Sequence, residues 1–225
     1  MSGSSYFEQF NIVWLFGLTN SAIMMLFVIF IVLLFFKGID LIPKRWQSFF
    51  ELIYYHFYYL VKDNLNIEGL KFFPFIFSLF FFIVFLNLFG LCPYVFTPTT
   101  HIIVTLGFSF SIIIGVTLAG VWRFKKDFFS ILMPSGAPLI LAPLLVLIET
   151  VSYFSRAISL GVRLAANLSA GHLLFAILAG FGVVFKSAIL IMIFITLLEI
   201  AVAIIQAYVF CLLTTIYLAD TLVLH

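Results

Sequence analysis

Two apolar stretches, residues 139–180 and about 187–221, constrain this chain more than any other feature, because each far exceeds what is needed to cross a bilayer upright. An upright span takes about 20 residues. At about 1.5 Å per residue, forty helical residues extend about 60 Å, twice the thickness of the hydrocarbon core. Helices of this length must be broken or strongly tilted. Glycine and proline are scarce between Val146 and Ala179, so tilting is the better solution, with the break between the two helices near Gly182. The whole chain is 65% hydrophobic and 9% charged, against roughly 25% charged residues in an ordinary soluble domain. That much apolar surface needs lipid as its solvent. The expected fold is an all-α polytopic membrane protein, forming a single membrane domain over residues 1–225.

The rest of the chain supplies shorter elements. A first span is expected over 21–36, stopped at Lys37-Gly38-Ile39-Asp40 with Pro43 beyond. Between Lys44 and Lys71, Trp46, Phe49, Phe50, Ile53, Tyr54, Phe57 and Leu60 recur at three- and four-residue spacing among polar residues. Such a pattern belongs to an amphipathic helix lying in the membrane interface. Further spans are expected over 72–91 and 102–122, the second stopped by Arg123, Lys125, Lys126 and Asp127, and Met133 to Pro138 reads as a loop. The long hairpin then occupies about 138–222. If the spans alternate, Lys37, Lys44, Arg45, Lys62, Lys71, Arg123, Lys125 and Lys126 share one side, which the positive-inside rule makes the inner one. The N-terminus then faces out.

A formal net charge of +2 gives no footprint for nucleic acid. Cys92 and Cys211 are far apart in apolar surroundings and suggest packing rather than a disulfide or a metal site. Residues 1–20 hold Glu8 but no Lys or Arg, unlike a basic targeting segment. Asn167-Leu168-Ser169 is a formal glycosylation sequon, discounted because it falls inside the membrane.

Ionisable residues inside the long stretches carry the chemistry: Glu149, Arg156, Arg163, His172, Glu199 and Asp220. A charge at a membrane helix centre costs about 2.5 to 3.5 kcal/mol on insertion scales, so it marks function or a structural ion pair. Arg156 fits either, since Glu149 lies seven residues before it. At about 100° per residue, Glu149, Ser152, Arg156, Ser159, Arg163 and Asn167 form one polar stripe, with His172 on the opposite face. On the last helix Glu199, Gln206 and Tyr217 align similarly. A hairpin turning near Val184 sets Gln206 level with about Val162, His172 within a turn of Glu199, and Glu149 within a turn of Asp220. The polar groups then sort into an outer level, a central level around Arg163, and an inner level. Arginine cannot release its proton, so a ladder interrupted by Arg163 attracts a carboxylate yet blocks direct proton hopping.

Ser159-Leu160-Gly161-Val162-Arg163-Leu164-Ala165-Ala166-Asn167, followed by Ala170-Gly171-His172, resembles the signature of subunit a of F-type ATP synthases. Leu147-Ile148-Glu149-Thr150 and Ile205-Gln206-Ala207-Tyr208 are similar to the flanking family motifs, and Phe7-Glu8-Gln9-Phe10 resembles mature mitochondrial forms. The resemblance implies a non-catalytic stator subunit that forms two offset half-channels against the rotor c-ring. It implies that Arg163 faces the ring, that Glu149 serves the inner half-channel, and that His172 and Glu199 form the outer pair. Asn167 and Gln206 would lie close to the arginine, and Asn87 would support them. Asp220 joins the proton path by position rather than by motif, and Ser159 and Tyr217 join it from the polar faces of the two helices. The implied partners are the c-ring, the peripheral stalk, other membrane subunits and the lipid bilayer. The implied location is the mitochondrial inner membrane, with a bacterial plasma membrane as the alternative. No cofactor or metal ligand is expected.

Two other functions compete. A haem- or quinone-binding subunit would want paired histidines at one depth, whereas the four here are scattered. A secondary transporter would show an internal repeat and broken helices, and neither is evident in the sequence.

Overall fold

The computed structural model describes residues 11–15, 17–35, 45–92, 95–124, 142–182 and 187–222. These residues are almost entirely helical, in keeping with an all-α polytopic membrane protein. The exception is a small antiparallel pairing of β1 (Trp14–Leu15) with β2 (Leu18–Thr19), turned at Gly17, whose φ of 84° lies in the left-handed region that favours glycine. Thr19 Oγ1 then accepts from the Ala22 amide at 3.3 Å, which caps the start of α1 (Asn20–Phe35).

Helix α1 has 16 residues, about 24 Å, short of the roughly 30 Å core. The stop expected at residues 37–43 lies outside the described residues, as do the Phe7 to Phe10 motif, Lys125 to Asp127, the Met133 to Pro138 loop and the turn at Val184. The amphipathic helix α2 (Arg45–Gly69) follows. It buries Phe57, Val61 and Leu65, spaced four apart, while Phe49, Leu52, Tyr55 and Tyr59 stay exposed. The buried stripe therefore runs further toward the C-terminal end of the helix than the aromatic spacing alone suggested. Tyr54 closes edge-on against Phe73 at 4.9 Å and Phe77 at 5.5 Å.

Next come α3 (Phe73–Gly90), α4 (Ile102–Phe124), α5 (Ala142–Gly182) and α6 (Ser187–Leu222). Among the described residues, four segments are long and apolar enough to cross a membrane: Leu70–Gly90, Ile102–Arg123, Leu144–Gly180 and Leu190–Thr221. The long helices carry broad rows of exposed apolar residues, such as Phe154, Leu190, Phe194 and Leu197, suited to lipid.

The chain forms two compact units. The first comprises Met1–Ile39, Ser78–Thr105 and Val162–Val209; the second comprises Asp40–Phe77, Leu106–Gly161 and Phe210–His225. Between helices in lipid there is no hydrophobic driving force, so small residues and interhelical hydrogen bonds hold the contacts. The first unit buries Ala165, Ala203 and Ala207, and Ser169 Oγ donates to the Thr100 carbonyl at 3.1 Å. In the second, Ala157 is fully buried and its carbonyl accepts from Ser109 Oγ at 2.5 Å. There too the buried Cys211 thiol donates to the Ile76 carbonyl at 3.8 Å.

Helix α5 runs unbroken for 41 residues and α6 for 36, so neither fits upright in a bilayer. Their axes should tilt by about 40 to 60° from the membrane normal, the range that brings about 60 Å of helix within a layer 30 to 45 Å thick. Orientation-dependent spectroscopy of labelled α5 in aligned bilayers reads that angle, and a tilt near 20° would contradict it.

Candidate functional site

The first unit brings together the polar residues of three helices. Asn167 on α5 donates from Nδ2 to Gln206 Oε1 on α6 at 3.3 Å. Asn87 on α3 is fully buried and donates from Nδ2 to the Ala203 carbonyl at 3.3 Å. These three amides, with Glu199, line a cavity of about 330 Å³ whose other walls include Leu91, Leu164, Leu168, Leu174 and Leu198. Asn87 Oδ1, Glu199 Oε1 and Gln206 Nε2 are buried atoms with no hydrogen-bond partner among the described residues. Buried polar atoms are ordinarily satisfied by protein or by water. A space of this size is large enough for several waters.

Glu199 is half-buried, and its carboxyl lies against the α5 backbone at Gly171, immediately before His172. The His172 ring is also half-buried and lies beside the backbone of Gly90 at the end of α3. The expected closeness of these two levels is thus met through Gly171. Arg163 is exposed, beside Val162, Ala166, Asn167 and Ala170, which are exposed too. Asn167, one turn further on, belongs both to this face and to the cavity wall. Gln206, expected level with about Val162, reaches Asn167 five residues further along α5 through two long side chains.

The second unit holds a separate polar cluster. Arg156 Nη1 lies 3.7 Å from Asp220 Oδ2, with 43% and 56% of the two side chains exposed. Partial exposure spares the pair the full desolvation cost of a buried bridge. The Arg156 guanidinium also stands 5.9 Å over the ring of the buried Tyr217, whose centroid is 6.5 Å from that of Tyr153. Tyr153 in turn donates to the Ile113 carbonyl at 3.5 Å. Arg156 therefore finds its acid on α6, while the Glu149 side chain lies outside the described residues. Tyr217, aligned in sequence with Glu199 and Gln206, belongs here instead. Ser159 is exposed in the same unit. Tyr153 and Gly171 were not singled out as site residues; an aromatic and a glycine inside an apolar run carry no periodic signal. Among the described residues, no group of three His, Cys, Asp or Glu side chains could hold a metal ion.

This architecture defines a polytopic membrane protein with ionisable and amide side chains gathered within its long helices. The ATP synthase A chain family matches residues 18–219. The chain is 66% identical to ATP synthase subunit a of Metridium senile, over 99% of this chain and all of that protein. It is 44% identical to ATP synthase subunit a of Marchantia polymorpha, covering 97% and 98%, and 46% identical to that of Mycosarcoma maydis, covering 93% and 88%. The chain belongs to the ATP synthase subunit a family.

The Asn87 bond is a buried polar link from α3 to α6, and a neutral hydrogen bond of this kind contributes about 1 kcal/mol. Asn87→Ala should therefore lower the thermal unfolding midpoint of the detergent-solubilised protein by a few degrees, with helical content unchanged. An unaltered midpoint would show that the bond holds nothing.

Proposed function

We propose that this chain is the non-catalytic stator subunit that carries protons across the membrane in an F-type ATP synthase, through two offset half-channels that face the rotor c-ring. The observation that carries this reading is the cavity of about 330 Å³ in the first unit, lined by Glu199 together with the amides of Asn87, Asn167 and Gln206. Polar atoms in such a space call for hydration, and ordered water beside a carboxylate is a route for protons. In this reading the outer half-channel ends at Glu199 and His172, which pass protons between cavity and ring.

Arg163 then acts as the fixed cation of the path. Arginine side chains do not release their proton in proteins, so Arg163 would attract a ring carboxylate and keep it ionised without relaying a proton itself. Its small neighbours Ala166 and Ala170 leave room for another helix to come close. On the inner side, Glu149, Ser159, Tyr217 and Asp220 would carry protons away, with Arg156 standing 3.7 Å from the Asp220 carboxyl. The partners of this role are the c-ring, the peripheral stalk and the other membrane subunits, in the mitochondrial inner membrane.

Arg163→Ala should abolish proton-driven ATP synthesis and permit passive proton leak through the assembled complex, measured together in inverted vesicles. Arg163→Lys should fail too, because an ammonium can release its proton and lacks the planar fork. Near-normal synthesis in Arg163→Ala would reduce the arginine to a structural counter-ion and remove this reading.

The outer pair has its own test. Exchanging the two residue types, His172→Glu with Glu199→His, should retain more proton flux than Ala at either position. Equal loss in all three variants would rule out a relay between them.

A further inference from the structure

Gly171 stands where α5 passes the Glu199 carboxyl on α6, and the space there is already filled. A Cβ built on Gly171 would lie 2.5 Å from Glu199 Oε1, 2.8 Å from Cδ and 3.2 Å from Cγ. The first two separations are shorter than real Cβ contacts reach, so a side chain at position 171 and Glu199 in its present rotamer exclude each other. The obstruction consists solely of the distal atoms of one side chain; no backbone atom is among the three nearest. Those atoms can swing away. A larger residue at 171 therefore moves the carboxyl group rather than breaking the helix pair.

Helix propensity argues the same way. Glycine inside a helix costs about 1 kcal/mol relative to alanine, and Gly171 sits deep within the 41-residue α5 with an ordinary helical backbone. Local stability alone would favour alanine here. What alanine cannot supply is the room that the carboxyl uses. Glu199 reaches into that room at the wall of the cavity that Asn167 and Gln206 also line, and His172 is the next residue along α5.

We propose that Gly171 is a positioning residue of the proton path: its missing side chain forms the socket that holds the Glu199 carboxyl at the cavity wall beside His172. The inference rests on the function proposed above. Any side chain at 171 should shift the carboxyl along or out of the cavity and lower its proton exchange, although no atom of Gly171 touches a moving proton.

The test uses the assembled complex in vesicles, reading ATP synthesis driven by an imposed proton gradient together with the amount of this chain in the membrane. Gly171→Ala should lower synthesis at least tenfold. Glu199→Asp alone should also lower it, because the carboxyl is withdrawn by one methylene, about 1.5 Å. Combined, Gly171→Ala with Glu199→Asp should exceed Gly171→Ala severalfold, since the shorter side chain clears the added methyl. Two losses that simply multiply, or a Gly171→Ala complex with normal synthesis, would overturn the proposal. If Gly171→Ala prevents assembly, the Glu199→Ala background decides. Restored assembly there shows that the Glu199 side chain was the obstruction, and continued failure overturns the socket. Glu199→Ala with glycine retained separates the two layers of argument: normal synthesis in that variant removes the proton-path reading itself, whereas loss of synthesis there with a harmless Gly171→Ala removes only the socket.

Discussion

In hydrocarbon, a polar group that is met by neither protein nor water costs several kcal/mol, and this structure follows from how each such group is met. Most hydroxyls in the long helices close on their own helix, as Thr214 does on the Phe210 carbonyl at 2.7 Å and Thr215 on the Cys211 carbonyl at 2.8 Å. A smaller set reaches a neighbouring segment: Ser109 to Ala157, Ser169 to Thr100, and Asn87 to Ala203. Among the described residues, buried polar atoms still unmet lie on Asn87, Glu199 and Gln206, which share one cavity, and also on Thr99 and His101, outside it. What distinguishes the site is that three such atoms gather around one space.

Small residues make this possible. A serine hydroxyl can reach a carbonyl on a facing helix only where that helix shows no bulk, as at Ala157, and an asparagine can reach the Ala203 carbonyl for the same reason. Close approach, used elsewhere to pack backbones, is used at Gly171 to admit a carboxyl group. Packing and chemistry draw on one device, which is why neither can be assigned from residue type alone.

Much of the architecture was legible in the sequence because lipid imposes length. The expected 72–91, 102–122, 139–180 and 187–221 correspond to α3, α4, α5 and α6 within three residues at every end. The four-residue β pairing near Gly17 was not expected, since so short a contact has no pattern to detect. Periodicity also gave the faces, yet it gave depth only to about a turn. Gln206 was set level with Val162, but its amide meets Asn167, because two long side chains can lean along the axis toward each other. The choice of Asp220 for Arg156, the cavity and the Gly171 contact depend on rotamers and volumes across helices, quantities that no one-dimensional spacing contains.

Two arginines seven residues apart on α5 show how surroundings divide one chemistry into two uses. Arg156 faces the Asp220 carboxylate and stands over the Tyr217 ring, so its charge is already engaged with groups of this chain. Arg163 is exposed among Val162, Ala166 and Ala170, residues too small to shield it from an approaching helix. An exposed guanidinium can be reached by an anion from outside the chain, whereas one bridged to a carboxylate already has part of its charge offset. The function proposed above gives each a different use: Arg163 as the cation open to a passing carboxylate, Arg156 as the cation that fixes its partner in place. The difference lies in the residues around each arginine, which is why the stripe that aligned them in sequence could not tell them apart.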